Sequence, residues 1–164
     1  MLQLLMGPDH VFPMLTITAV SMGMLVLAVV DVWRQEVENW ATGLLLAITL
    51  AGLWLQGIAA SQWAGAVLSA ATVFTLYLLM GMYGLMGGGD VKLSVVPGLV
   101  LGAMHPFLGI WWVAASIAVH QVLFKLVAVG ARAAGDARQR SVEALPHVPA
   151  MTAAILFSTL VFHP

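Results

Sequence analysis

Cysteine is absent from the 164 residues, and charge is scarce: Lys and Arg number 6 and Asp and Glu 7, together 8% of the chain. Without a thiol there is no disulfide, no thiolate metal centre and no cysteine nucleophile. A soluble domain carries roughly a quarter charged residues, so a soluble domain is excluded too. The formal net charge of −1 makes no electrostatic case for nucleic acid. The start lacks a Lys/Arg-rich stretch, and no small-residue cleavage site follows the first apolar run. No removable signal peptide is therefore expected, and the first helix stays. What is present is apolar: 62% hydrophobic residues and a mean hydropathy of +1.01. The expected class is an all-α polytopic membrane protein.

A span needs about 20 mostly apolar residues, which places helices near 14–32, 40–58, 63–82, 91–104, 107–129 and 145–162. Together they form one bundle over 1–164, a single integral-membrane domain without a separate soluble unit. The fourth segment is short and contains Pro97, which removes a backbone donor and frees the Leu93 carbonyl, so a kink is expected there. Arg34, Lys92, Lys125, Arg132, Arg138 and Arg140 are all the basic residues, and in this arrangement all fall on one side. The positive-inside rule makes that side cytoplasmic and puts both termini outside. Residues 130–144 form the only sizeable loop. Trp40, Trp63, Tyr83, Trp111 and Trp112 suit interfacial belts and helix packing.

Any chemistry must come from few side chains. Carboxylates at the ends of apolar helices are functional candidates by default, and Asp31 and Asp90 are such residues. For Asp31 the plain alternative is an interfacial charge neutralised by Arg34, three residues on. Asp90 follows Gly87, Gly88 and Gly89, a helix-breaking stretch that lets another backbone approach the carboxylate. A phosphate-cradling loop is not supported, because "GGGDVKL" lacks a Gly-Lys-Ser/Thr ending and a strand–turn–helix setting. The five histidines, His10, His105, His120, His147 and His163, lie apart in sequence and make no metal-ligand pair. His120 reads as a hydrogen-bonded core residue. No metal or organic cofactor is expected.

Asp31 and Asp90 are 59 positions apart, yet the topology puts both at cytoplasmic helix ends. Two carboxylates brought together in a low-dielectric site share one proton, which makes a water-activating pair. The anion takes a proton from water as it attacks a peptide carbonyl, and the acid supports the oxyanion.

The stretch "GGGDVKL" resembles the Gly-x-Gly-Asp-x-Lys signature of type IV prepilin peptidases, which are membrane aspartic proteases, with Gly87, Gly89, Asp90 and Lys92 in the motif positions. "DVWRQEVENW" resembles the family's first-aspartate segment, matched by Asp31, Val37 and Asn39, with Glu38 where proline is usual. "LPHVPAM" resembles the entry to the family's last helix, with His147 where an aromatic is commoner. The resemblance spans nearly the whole chain and implies Asp31 and Asp90 as the catalytic residues. Because the cysteine-bearing cytoplasmic insertion of the larger members is missing, no methyltransferase domain is expected. The chain is similar to the minimal, cleavage-only peptidases of tight-adherence (Flp-type) pilus systems.

The implied substrate is a prepilin with a short basic leader before a hydrophobic helix, cut at the cytoplasmic face of the bacterial inner membrane. Glu36 and Glu38 either attract its leader or belong to a plain solvated loop, and Lys92 either orients a carboxylate or the substrate carbonyl or snorkels to lipid headgroups. A non-catalytic membrane component of a pilus or secretion assembly is the principal alternative, and an ion- or solute-conducting bundle the third. The oligomeric state is open.

Overall fold

The computed structural model describes residues 14–34, 38–133 and 147–162. Every regular element among them is a helix: α1 (Met14–Arg34), α2 (Asn39–Leu55), α3 (Ala60–Met82), α4 (Gly88–Leu93), α5 (Val95–Met104), α6 (Leu108–Ala133) and α7 (Val148–Phe162). α1, α3 and α6 each contain a stretch long and apolar enough to cross a bilayer, Thr16–Arg34, Ala60–Met82 and Leu108–Val127. α2 and α7 are shorter apolar helices of 17 and 15 residues. The chain is an all-α polytopic membrane protein. Glu36 and Val37 lie outside the described residues, and so do residues 134–144 of the expected loop, whose first four residues extend α6.

The fourth expected segment is two helices, and the break falls in the turn before Pro97, where the proline's missing N–H leaves the Leu93 carbonyl without its helical donor. α4 and α5 meet at Ser94, whose hydroxyl donates to the Val91 carbonyl at 2.7 Å and satisfies it locally. Pro97 then falls in the first turn of α5. There the ring is tolerated, and the donor it lacks is the one that would have joined α5 to the Leu93 carbonyl of α4.

α5 is the inner post of the bundle. Every residue from Val96 to Met104 is buried, and α5 touches α1, α2, α3 and α6. Around it, α2 packs on α1, α1 on α7, α7 on α6 and α6 on α3. Its closest approach is to α3, where small residues face one another. A Cβ added at Gly98 would lie 2.7 Å from the Ala70 Cα, and one at Gly102 would lie 2.7 Å from the Gly65 carbonyl oxygen. Lipid offers apolar side chains no worse a home than a neighbouring helix does, so close backbone contact of this kind is what holds membrane helices together.

Candidate active site

A carboxylate in an apolar bundle persists where donors meet it. Asp31 lies in the last turn of α1, on the stripe that also carries Val20, Met24, Leu27 and Ala28. This spacing of three and four residues turns it inward, and it is only 6% exposed. Its Oδ2 accepts the Val148 N–H at 3.2 Å. Val148 opens α7, so its N–H has no helical partner, and the positive end of the helix dipole favours an anion there.

Asp90 is the third residue of α4, and its Oδ2 accepts the Gly87 N–H at 3.1 Å. This is the carboxylate half of a capping box. The three glycines, expected to break a helix, start one instead: Gly87 is the N-cap with ordinary extended backbone (φ −74, ψ 152), and Gly88 and Gly89 are in the first turn. The chain turns earlier, at Gly84, whose φ of 72 requires glycine. What Gly87 and Gly88 provide is space. A Cβ on Gly87 would sit 3.2 Å from the Asp90 carboxylate, and one on Gly88 would meet nothing within 4 Å. Burial pushes the Asp90 carboxyl up to about 6; the Gly87 N–H opposes that rise, and the charge of Asp31 adds to it. Asp31 is thus near enough for its charge to act on Asp90, although the two belong to helices far apart in sequence.

Two further motif residues meet directly. Lys92 Nζ donates to Asn39 Oδ1 at 2.8 Å, tying α4 to the first residue of α2. Lys92 therefore bonds neither carboxylate. Removing the tie is expected to be mild because both groups are exposed. Lys92→Met and Asn39→Ala should each lower stability by roughly 1 kcal/mol or less, and the double variant should add nothing further, as a thermal-unfolding double-mutant cycle would measure. Glu38 is the extended residue before α2. Its carboxylate takes Arg34 at 3.1 Å and the Trp40 indole N–H. Arg34 is thus spent on Glu38, and the expected neutralisation of Asp31 by Arg34 is not what forms.

The structure adds polar residues that sequence reasoning missed. Tyr77, on α3, is fully buried, stacks on Trp112 (ring centroids 5.6 Å apart) and lies in electrostatic reach of Asp90. Its hydroxyl meets Ser116 Oγ at 2.7 Å and His147 Nε2 at 3.0 Å. A tyrosine inside an apolar run must find a partner for its hydroxyl, and that was the available signal. His120 and His147, expected apart, come to 4.7 Å between ring centroids. His120 is half-buried, and its buried Nδ1 has no hydrogen-bond partner among the described residues. No group of three His, Cys, Asp or Glu able to hold a metal occurs among the described residues. An open apolar groove of about 650 Å³ runs between α1 and α2, and neither aspartate lines it.

No curated protein and no solved structure matches the chain. A family model, the type IV leader peptidase family, matches residues 18–162. That match runs from the first turns of α1 to the end of α7 and takes in both aspartates and the glycine motif, so the chain belongs to the type IV leader peptidase family.

Proposed function

We propose that this leader peptidase is of the aspartic type and that Asp31 and Asp90 activate the attacking water. The observation that carries the reading is that two carboxylates, each held at a helix start by a backbone N–H, stand close enough for the charge of Asp31 to act on Asp90 in a bundle with so few charges. With one proton between them, the ionised member draws a proton from water as the oxygen adds to the scissile carbonyl. The protonated member hydrogen-bonds the developing oxyanion and then supplies the proton that lets the amine leave. Gly87 and Gly89 leave room for an extended substrate backbone beside Asp90, while Asn39 and Lys92 brace α4.

The proposed substrate is a prepilin-like protein, its hydrophobic helix in the bilayer and its basic leader at the cytoplasmic face of the bacterial inner membrane. Glu36 and Glu38 would flank the leader, and both termini would lie outside. The basic residues support this orientation, because the positive-inside rule counts Lys and Arg. The whole chain would act as one domain, without a cofactor.

The test is the pH profile of leader removal by the protein in liposomes. Activity needs the singly protonated pair, so it should be lost in acid, when both carboxyls hold protons, and lost again as pH rises through about 6, where Asp90 gives up its proton. The two limbs belong to the pair. A flat profile from acid to neutral pH, or loss of cleavage on adding a chelator, would count against the aspartic reading.

A further inference from the structure

Beneath Asp31 lies a buried polar chain that the proposed chemistry does not use. Ser116 Oγ donates to the Val113 carbonyl at 2.9 Å, and a carbonyl can only accept. Ser116 has a single proton, so it accepts the Tyr77 hydroxyl at 2.7 Å, and Tyr77 in turn accepts from His147 Nε2 at 3.0 Å. This ordering fixes the His147 tautomer: Nε2 carries the proton and Nδ1 is bare. The buried Nδ1 indeed has no partner among the described residues. An imidazolium would place a second N–H in that position, and burial with His120 alongside pushes His147 down to about 3.

His147 is also where α7 begins. Its carbonyl accepts the N–H groups of Ala150 and Met151 at 3.0 and 3.1 Å, and the next residue, Val148, gives its N–H to Asp31. The side chain is 4% exposed and held on α3, so it sets where the first turn of α7 points. The rest of α7 is docked independently: Trp112 Nε1 donates to the Met151 carbonyl at 3.1 Å, and Met151, Ala154 and Ile155 are buried in the core. Losing the His147 hydrogen bond therefore loosens the first turn without undocking the helix.

We propose that His147 is a positioning residue for peptide cleavage: as an Nε2–H donor to Tyr77 it seats the start of α7 and holds the Val148 N–H on Asp31. The inference rests on the reading of Asp31 and Asp90 as the working pair. Of the titratable groups around this start of α7, Asp90 on α4 feels the charge of Asp31, Tyr77 on α3 lies in reach of Asp90 and bonds His147, and His120 on α6 stands beside His147. The Arg34–Glu38 pair lies at the α1–α2 link, and Lys92 is bonded to Asn39.

The Val148 hydrogen bond favours the Asp31 anion, so loosening it raises the pH at which the pair takes its second proton. In liposomes with a prepilin-like substrate, His147→Leu and Tyr77→Phe should each move the acid limb of kcat/KM upward by about half a pH unit or more. His147→Gln, which keeps an N–H at similar reach, should leave the limb where the wild type has it. Both displaced variants should stay folded by size-exclusion chromatography; if His147→Leu does not, Tyr77→Phe against His147→Gln decides. An unmoved acid limb in Tyr77→Phe, or a limb displaced equally by His147→Gln, overturns the proposal. If the wild type leaves the substrate uncut, or Asp31→Asn still cuts it, the aspartate-pair reading fails instead and carries this one with it.

Discussion

Asp31→Asn and Asp90→Asn, expressed at wild-type abundance, are each expected to lower leader removal at least about 100-fold, the scale of a lost general acid or base. The substitution is well matched to the structure. Asparagine keeps the side-chain shape, and its carbonyl oxygen can still accept the Val148 N–H at position 31 or the Gly87 N–H at position 90. The backbone contacts survive, and only the ability to exchange a proton is lost.

Stability should move the other way for Asp90→Asn. The folded state raises this carboxyl to about 6 from an ordinary 3.8. Its proton-linked stability is therefore complete in acid below the unfolded value and fades as pH rises through the folded one. At neutral pH, replacing the carboxylate with a neutral amide removes a buried charge and should leave thermal stability equal or higher. A prepilin still processed to its mature size by either folded variant would rule out the dyad.

The second large effect lies in the fold. Gly102→Ala is expected to destabilise the protein by about 2 kcal/mol, the range for overpacking a closely packed site, whereas Gly43→Ala should be neutral or slightly stabilising. The same methyl group is added in both. At Gly102 it would lie 2.7 Å from the Gly65 carbonyl oxygen and 2.9 Å from the Ala66 Cα, and backbone cannot turn aside as a side chain can. At Gly43 it would meet nothing within 4 Å and would gain helix propensity. Because α5 continues from α4 through Ser94, pushing α5 off α3 also displaces Asp90, so activity should fall with stability. Unfolding in graded detergent, followed by helicity, gives the comparison. Equal stabilities for the two variants would mean that the α3–α5 contact is looser than drawn.

Sequence reasoning found what leaves a one-dimensional trace. Apolar runs marked the helices because a bilayer demands unbroken length. Asp31 and Asp90 stood out because a carboxylate beside such a run needs a reason. The break at Ser94 was legible through Pro97, whose missing donor interrupts the helix one turn upstream. The spacing of Gly98 and Gly102 was legible as a small-residue face and was not used. Other features have no local signature: the bond from Lys92 to Asn39 crosses 53 positions and that from Tyr77 to His147 crosses 70. Contacts of that kind exist only once the helices have chosen their neighbours.

That choice has an order imposed by α5. Ten residues rise about 15 Å, half of a hydrocarbon core of about 30 Å, and nine of the ten are buried against protein. Such a segment has no stripe suited to lipid and too little length to rest across a bilayer alone. During synthesis α3 precedes it, so the surface that receives it, around Gly65, Ala66 and Ala70, is already in the membrane when α5 emerges. The socket on α3 is thus encoded ahead of the segment it receives, and the residues that follow Asp90 depend on it for their burial.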